Sequence, residues 1–468
     1  MTAQLAPQRP ARTRARVSAA TAWSRDAVRV ICAASLVIVT ALWLSGGGVP
    51  ALSASPAESV TSVARLSGLL ASDLLLIQVF LMARVPLIER TYGQDELARR
   101  HRWVGFWSFN LLVLHIALIS VGYSLTGRTD VVSTLRDLIA SYPGVLLAVA
   151  GAGALSLVTV SSIRAARRAI RYESWHLLHL YAYLGVGLAL PHQLWTGRDF
   201  VNSPWATVYW WTAYAVAAGA VLSFRLGLPA WRTLRHGITV TAVTRESHDV
   251  ITVHLGGRGL HRLRASAGQY FIWRFLDGPG WSRGHPYSLS AAPLPDRVRI
   301  TAKGVGPDST RLAALRPGTW VFVEGPYGRL TPARSTGARV ALFACGIGIT
   351  PIRALLEELP FGFGEAVLVH RAHSAEDLTF RAEIDELAQR RGVTVHHLVG
   401  PRSIDGVSWL PAGRVADSDT EALAALVPGL PDHDVFVCGP DGWSDALCAG
   451  LLAAGVPKDR LHRERFTW

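Results

Sequence analysis

The sequence contains two apolar segments with a histidine at each end: His101-Arg-Trp-Val-Gly-Phe-Trp-Ser-Phe-Asn-Leu-Leu-Val-Leu-His115 and His179-Leu-Tyr-Ala-Tyr-Leu-Gly-Val-Gly-Leu-Ala-Leu-Pro-His192. At 1.5 Å per residue, a helix separates the first pair by about 21 Å and the second pair by about 19.5 Å. An ionisable side chain is costly inside a bilayer and indicates a functional site there. If both segments cross a membrane as helices, the matched spacing predicts two histidine pairs at two depths.

The composition favours a membrane protein. Of the 468 residues, 50% are hydrophobic and 17% are charged, whereas soluble domains carry roughly 25% charged residues. A helix needs roughly 20 mostly apolar residues to cross the hydrocarbon core. Six stretches meet this requirement and predict a six-helix transmembrane bundle: 28–46, 62–83, 103–123, 139–161, 175–195 and 205–225.

Arginine is distributed unevenly over the segments that flank these stretches. Fifteen arginines lie in the N-terminal tail and in the second and fourth loops, and three lie in the other loops. Because cytoplasmic loops carry the excess of basic residues, we predict a multi-pass protein of the cell membrane with both termini in the cytoplasm. Residues 1–55 also fit a signal peptide, but the 27-residue basic leader favours an uncleaved helix.

The charge and the cysteines exclude other classes of protein. The formal net charge of +13 is of the kind found in nucleic-acid-binding proteins. Lysine occurs only at 303 and 458, however, and much of the arginine lies between apolar runs, so we expect no nucleic-acid partner. Four scattered cysteines are too few for a disulfide scaffold or a four-cysteine iron–sulfur cluster.

Two histidine pairs at matched depths suit two stacked haems, each iron bound by one imidazole from each helix. No Cys-x-x-Cys-His occurs, so the haems would be of the non-covalent b type. Thirteen steps of about 100° place His179 and His192 on different faces of an ideal helix, although Pro191 could unwind that turn. The alternative is that the histidines are hydrogen-bonded core residues. We expect this of His176, which is also the alternative ligand to His179.

The histidine segments also resemble a known family. His101-Arg-Trp-Val-Gly, Leu114-His115, Trp175-His176-Leu-Leu-His179 and Pro191-His192 are similar to the ferric reductase transmembrane domain, which occurs in ferric-chelate reductases and NADPH oxidases. The resemblance covers about residues 62–225. It implies four haem ligands: His101, His115, His179 and His192.

Short alternating runs follow the last apolar stretch and predict a small antiparallel β-barrel: Thr239–Val243, Val250–Leu255, Tyr270–Phe275, Val298–Ala302 and Trp320–Glu324. They contain Gly268-Gln-Tyr-Phe, His285-Pro-Tyr-Ser-Leu-Ser290 and Lys303-Gly-Val-Gly-Pro-Asp-Ser-Thr310, which in this order resemble the flavin domain of the ferredoxin–NADP reductase superfamily. Many members carry arginine where His285 stands. The resemblance implies FAD contacts from Gln269, Tyr270, His285, Pro286, Tyr287, Ser288, Lys303, Gly304, Gly306, Ser309 and Thr310.

From Arg339 onwards the pattern becomes strand, glycine turn and helix: Val340–Ala344, Cys345-Gly-Ile-Gly-Ile-Thr-Pro351 and Ile352–Leu359. Glycines at such a turn let the backbone approach a pyrophosphate at the helix N-terminus. The remaining runs predict a doubly wound α/β domain: strand Ala366–His370, helix Glu376–Gln389, strands Val393–Leu398 and Val435–Cys438, and helix Ser444–Ala453.

With Val437-Cys438-Gly439-Pro440 and Phe466-Thr-Trp468, this half resembles the nicotinamide domain of the same superfamily. The resemblance implies that Cys438 lies near the nicotinamide and that Phe466 or Trp468 covers the flavin, so these three are the candidate catalytic residues. Arg371, in place of an acidic residue after the second strand, slightly favours NADPH over NADH. The candidate NAD(P)-binding residues are Gly346, Gly348, Thr350, Pro351, Arg371, Ser374, Gly439 and Pro440.

Together the patterns predict a multidomain membrane protein with four segments: a basic cytoplasmic tail (1–27), a six-helix transmembrane haem domain (28–228), an FAD-binding β-barrel (236–332) and an NAD(P)-binding α/β domain (336–468). The expected activity is electron transfer from cytoplasmic NAD(P)H through FAD and two b-type haems to an acceptor on the outer face, with ferric iron favoured. Two alternatives stay open: reduction of oxygen to superoxide, and delivery of electrons to a separate partner protein.

Overall fold

The computed structural model describes residues 11–170, 172–201, 203–304, 311–402, 408–412 and 418–465. The chain divides into two compact units: the first is Ala20–Leu226, and the second comprises the described residues before Ala20 and those from Gly227 onwards. The first unit is helical, and the second contains all the strands of the described residues.

The helices of the first unit and its boundary are α1 (Ala11–Ser45), α2 (Gly48–Ala54), α3 (Pro56–Leu81), α4 (Pro86–Tyr92), α5 (Gln94–Gly127), α6 (Val131–Ser141), α7 (Val145–Ser162), α8 (Arg164–Ala169), α9 (Tyr172–Trp195), α10 (Arg198–Val201), α11 (Pro204–Ala220) and α12 (Leu228–His236). A π-helical turn over Val221–Gly227 joins the last two.

Five helical segments are long and apolar enough to cross a membrane: Trp23–Ser45, Pro56–Leu81, Gln94–Gly127, Val145–Ser162 and Pro204–His236. The predicted span at 175–195 forms α9 but is not among them. Its three histidines and Gln193 lower the hydropathy of that helix. The structure therefore supports a helical membrane region, while the count of six spans stays a prediction.

The predicted span at 139–161 is wrong at its beginning. Helix α6 ends at Ser141 and α7 starts at Val145, so Ile139 belongs to the preceding helix. Pro143 cannot continue a helix, and Gly144 adopts φ +82, which a glycine adopts without steric cost. The run lacks charge, and hydropathy alone does not reveal this turn.

Small residues and polar side chains join the helices of the first unit. A Cβ atom on Gly151 of α7 would lie 2.8 Å from the carbonyl oxygen of Gly185 on α9, so this pair of helices packs closely. Asp73 of α3 accepts hydrogen bonds from Ser35 Oγ on α1 (2.7 Å) and Tyr209 Oη on α11 (2.6 Å). The carboxyl group of Asp73 thereby ties three helices together.

In the second unit, α12 is followed by six strands in two three-stranded antiparallel sheets. The strands are β1 (Thr239–Arg245), β2 (Val250–Gly256), β3 (Tyr270–Phe275), β4 (His285–Ser288), β5 (Arg297–Lys303) and β6 (Val321–Tyr327). One sheet has the order β1-β2-β5 and the other β4-β3-β6. Isolated bridges, Thr239 to Trp320 and Leu289 to Ile300, join the edges of the sheets. Closure into a continuous barrel stays a prediction.

The rest of the second unit is a five-stranded parallel sheet with helices on both faces. Its strands are β7 (Val340–Cys345), β8 (Ala366–Ala372), β9 (Val393–Val399), β10 (Asp434–Cys438) and β11 (Leu461–Glu464), in the order β11-β10-β7-β8-β9. Helices α13 (Ile349–Glu358) and α14 (Arg381–Arg391) cover one hydrophobic core. Helices α15 (Asp419–Leu426) and α16 (Asp441–Ala453) cover the other. This confirms the wound α/β architecture.

One predicted helix of this domain starts too early. The pattern placed it at Glu376–Gln389, whereas α14 begins at Arg381. Phe380 has a positive φ of 63°, which a helix does not accommodate. The side chain of Ser374 donates a hydrogen bond to Asp377 and holds the preceding residues in a turn.

Candidate functional site

The first pair of predicted haem ligands is assembled by α5 and α9. The imidazole rings of His101 and His179 have centroids 5.9 Å apart, with their planes at 62°. Metal–imidazole bonds are about 2.0–2.1 Å long, so a metal between two opposed imidazoles holds the ring centroids about 6 Å apart. It is His179, one turn after His176, whose ring lies against His101. The residues present therefore fit a bis-imidazole haem.

Hydrogen bonds at Nδ1 orient the first pair. Nδ1 of His101 lies 3.3 Å from the carbonyl oxygen of Gln78, and a carbonyl can only accept, so this nitrogen carries the proton. Nδ1 of His179 lies 3.4 Å from Ser162 Oγ, which itself accepts a hydrogen bond from the indole of Trp175. Metal-binding histidines typically have such a partner on the second ring nitrogen, which leaves Nε2 for the metal.

The second predicted pair lies further along the same helices. Nδ1 of His115 donates to the carbonyl oxygen of Ala64 at 2.8 Å. Nδ1 of His192 is buried and makes no hydrogen bond to any described residue. His115 thus has the orientation of a ligand, and His192 has an unsatisfied ring nitrogen.

The turn that carries His192 is fixed from two sides. Gln193 donates a hydrogen bond to Ser72 Oγ (3.1 Å) and accepts one from Tyr214 Oη (2.6 Å). A Cβ atom on Gly144 would lie 2.7 Å from the backbone nitrogen of His192. Helix α9 continues through Pro191. The contacts of Gln193 and Gly144 hold this turn in place.

The predicted flavin residues meet at the paired strands β3 and β4. Tyr270 and Ser288 are register partners, and the rings of His285 and Tyr287 are stacked at 5.9 Å with an angle of 12°. Pro286 lies between these two residues, opposite Ile272. The Oγ of Ser288 is buried and has no hydrogen-bond partner among the described residues. An unsatisfied hydroxyl beside an aromatic stack fits a flavin.

The neighbouring turn contributes Gln269. Its side-chain oxygen accepts from the Ser266 backbone N–H (2.9 Å), and its amide nitrogen lies 3.4 Å from the carbonyl oxygen of Gly328. These bonds brace the start of β3.

Lys303, a predicted diphosphate ligand, is paired with two carboxylates. Its Nζ lies 3.0 Å from Asp377 Oδ1 and 3.3 Å from Asp249 Oδ2. Partial burial favours the neutral amine, but these hydrogen-bonded carboxylates raise the pKa of Lys303 above its ordinary value. Gly304 packs against the Asp249 carbonyl. The predicted residues Gly306, Ser309 and Thr310 lie outside the described residues.

The predicted glycine turn follows β7 and begins α13. Gly346 has φ +54, and a Cβ atom on Gly348 would overlap the carbonyl oxygen of Cys438. Thr350 donates to the Ile347 carbonyl at 3.0 Å, and Pro351 occupies the first turn of the helix, where a missing N–H costs nothing. The turn therefore approaches the end of β10 closely, as a nucleotide-binding turn requires.

The end of β10 lies against this turn. A Cβ atom on Gly439 would lie 2.9 Å from Cβ of Cys345, and Pro440 precedes α16. Full burial raises the pKa of Cys438 well above its ordinary value, so its thiol is neutral. Phe466 and Trp468, the other candidate catalytic residues, lie outside the described residues.

Arg371 is placed differently from a typical phosphate-binding arginine. Only 6% of it is exposed, and its guanidinium donates to Cys345 Sγ (3.7 Å) and to the Pro401 carbonyl (3.2 Å). Ser374, the other residue predicted here, is half-buried and bonded to Asp377. The assignment of both residues to the nucleotide stays a prediction.

Glu464 is a candidate site residue that no sequence motif indicates. This residue ends β11 as the register partner of Cys438, is buried, and would touch a Cβ atom on Gly328. Its four-residue strand is Leu-His-Arg-Glu, so it has no hydrophobic alternation by which the pattern could be recognised. A buried carboxyl beside Cys438 is a further candidate site residue.

Comparisons with known proteins support both halves of the chain. Residues 67–190 match a model of the ferric reductase like transmembrane component, and residues 342–449 match a model of the oxidoreductase NAD-binding domain. The first range includes His101, His115 and His179 and ends two residues before His192, and the second includes the glycine turn and Cys438.

The individual relatives include a flavohemoprotein and a reductase component of a monooxygenase. A flavohemoprotein of Chromobacterium violaceum is 28% identical over 55% of this chain and 68% of its own length. The ferredoxin reductase component of a 3-ketosteroid-9-alpha-monooxygenase from Mycolicibacterium smegmatis is 31% identical over 49% of this chain and 65% of its own. The chain spans about two thirds of the length of these relatives.

A solved structure, the FAD/NAD-binding domain of a nitric oxide dioxygenase from Vibrio cholerae, is 26% identical over 49% of this chain and 98% of that chain, with a TM-score of 0.39. The two family matches confirm the resemblance that the motifs indicated. The chain is a transmembrane oxidoreductase that joins a ferric reductase-like transmembrane component to an NAD-binding reductase module.

Proposed function

We propose that the chain carries electrons from cytoplasmic NAD(P)H, through bound FAD and two b-type haems, to an acceptor on the outer face, with ferric iron as the favoured acceptor. The observation that carries this proposal is the opposition of His101 and His179 at 5.9 Å within the segment that matches the ferric reductase-like component.

In the transmembrane unit, the residues of this chain would hold and orient the haems. His101 and His179 would bind the inner haem, and His115 and His192 the outer one. Backbone carbonyls at Nδ1 of His101 and His115 fix the tautomer and raise the basicity of each ligand. The apolar helices exclude water and thereby influence the reduction potentials.

In the reductase unit, the residues bind the flavin and nicotinamide. Tyr270, Tyr287 and Ser288 would contact the flavin, while the β7–α13 turn would receive the pyrophosphate of NAD(P)H. Cys438 and Glu464, register partners at the ends of β10 and β11, would lie beside the nicotinamide. FAD held by these residues would supply the conversion between two-electron hydride transfer and the one-electron transfer that haem iron requires.

The arrangement in the membrane follows from the distribution of arginine. The basic tail and the second and fourth loops would face the cytoplasm, as would the reductase unit with its access to cellular NAD(P)H. His115 and His192 would then lie towards the outer face, where the acceptor is reduced.

Two other acceptors remain as alternatives. Oxygen above the outer haem would make the chain a superoxide-generating oxidase. The relative named as a ferredoxin reductase component of a monooxygenase favours a third arrangement, in which the chain supplies electrons to a partner protein.

The test uses the full-length protein in detergent or nanodiscs. NADPH consumption is followed with an Fe(III) chelate under argon, with oxygen alone, and with neither acceptor. We expect rapid turnover with the chelate and reduction of the haems before it. Turnover with oxygen alone supports the oxidase. Absence of turnover with either acceptor, despite full haem reduction, supports delivery of electrons to a partner protein. Failure of NADPH to reduce the haems would contradict the proposal.

A further inference from the structure

A second pair of histidines lies in the NAD-binding domain, away from the predicted haem ligands. His370 of β8 and His397 of β9 are register partners on adjacent parallel strands, so both side chains project to the same face of the sheet. That face is the one covered by α14, because Asp385 of α14 contacts His397. The ring centroids are 5.8 Å apart, with the planes at 61°.

This ring geometry is nearly the same as that of His101 and His179, at 5.9 Å and 62°. Two imidazoles bound to one transition-metal ion at about 2.0–2.1 Å each place their ring centroids about 5–6 Å apart, and the observed separation is compatible with this. A hydrogen bond between the two imidazole rings does not account for this separation, because none is formed in the described part of the chain.

Three of the four ring nitrogens lack a partner. Both nitrogens of His370 and Nδ1 of His397 are buried without a hydrogen bond to any described residue, and His370 is fully buried. Buried polar groups are nearly always satisfied in folded proteins, and an exception indicates a bound water, ligand or ion. Imidazole nitrogens are donors that zinc, copper and nickel prefer.

Asp385 gives His397 the form of a metal ligand. Its Oδ1 lies 3.2 Å from Nε2 of His397. A carboxylate only accepts, so Nε2 carries the proton and the lone pair is on Nδ1, one of the three unsatisfied nitrogens. A carboxylate–histidine–metal arrangement is common in zinc sites.

We propose that His370 and His397 form a two-imidazole binding site for a borderline transition-metal ion such as Zn²⁺, with Asp385 orienting His397. No group of three or more His, Cys, Asp and Glu side chains in the described residues has metal-binding geometry. The site therefore supplies two protein ligands, and water or another small ligand completes the coordination. The side chain of His397 is 19% exposed, which gives the ion a path from solvent.

The test measures Zn²⁺ binding to the haem-loaded full-length protein, purified without a histidine tag and treated with chelator. Competition with a chromogenic zinc chelator gives affinity and stoichiometry. We expect His397→Gln to bind one Zn²⁺ fewer per chain than the unmodified protein. Asp385→Asn should retain the site with an affinity lower by about 10–100-fold.

The matched control is His396→Gln, because His396 lies next to His397 but projects to the opposite face of β9. We expect this variant to bind as the unmodified protein does. Flavin content verifies folding. Equal stoichiometry and affinity in His397→Gln and His396→Gln would overturn the site. If His397→Gln does not fold, Asp385→Asn decides, and an unchanged affinity in that variant overturns the proposal.

Discussion

The imidazole rings of His101 and His179 oppose each other at 5.9 Å, although the residues belong to different helices, α5 and α9. Each ring is oriented at Nδ1 by a group that leaves Nε2 available, a carbonyl for His101 and a hydroxyl for His179. This relationship connects the sequence pattern to the proposed chemistry and leads to the first prediction.

Replacing His101 or His179 by Ala should remove one of two haems. The remaining imidazole cannot hold a six-coordinate iron alone, so the bis-imidazole absorbance should fall by about half. His176→Ala is the matched control, one turn earlier on α9, and should keep the full absorbance. Equal haem content in all three variants would remove the support for these ligands.

Gly68 on α3 should be essential for the outer haem. A Cβ atom there would lie 2.5 Å from Nδ1 of His115, closer than a non-bonded contact permits, so Gly68→Ala must displace the ring. We expect haem per chain to fall towards one, measured as the pyridine haemochrome. Gly153→Ala, where the added atom meets nothing within 4 Å, should keep both haems. A Gly68→Ala protein with unaltered haem spectra would argue against His115 as a ligand.

Because of Asp434, the free energy of unfolding of the NAD-binding domain should depend on pH in the acid range. Burial alone would raise its pKa, but His462 and the Gly337 and Thr336 donors lower that pKa to about 2. A carboxyl group whose pKa is lowered by folding stabilises the folded state at pH values above its unfolded pKa of about 3.9. This stabilisation is lost as the pH falls towards 2.

Asp434→Asn should therefore reduce the free energy of unfolding by about 2 kcal/mol at pH 7, and this difference should shrink at pH 3. Chemical denaturation monitored by flavin fluorescence measures both values. Asp296→Asn, on an exposed side chain, is the control and should change little. A constant difference at both pH values would show that the charge of Asp434 is not responsible.

Arg371 should contribute to the choice of nucleotide. The prediction is a higher kcat/KM for NADPH than for NADH, and a selective loss for NADPH in Arg371→Gln. Because Arg371 is buried against Cys345, its replacement also affects packing, and the ratio of the two nucleotides within one variant corrects for that. An unchanged ratio would leave the 2′-phosphate without an assigned partner.

Much of the architecture was predictable because hydropathy and turn residues determine it locally. Strand Tyr270–Phe275 has the predicted bounds, since its alternation is flanked by glycine and charged residues. The turn at Pro143-Gly144 was hidden by a charge-free run. The start of α14 depends on Phe380, an apolar residue that adopts a left-handed conformation no propensity indicates.

The candidate site was predictable where motifs are dense and less so where contacts are long-range. The glycine turn and Cys438 follow from short patterns. The role of Glu464 depends on pairing of β11 with β10, and the orientation of His115 depends on the Ala64 carbonyl, distant in sequence. Such contacts are set by tertiary packing and leave no local signal.

One measurement tests the central claim most directly: a reduced-minus-oxidised absorbance spectrum of the purified full-length protein, with haem and flavin quantified per chain. Expressed with ample iron, the protein should contain two b-type haems and one FAD, and NADPH should reduce the haems without oxygen. A protein with full flavin content and no Soret absorbance would contradict electron transfer through haem.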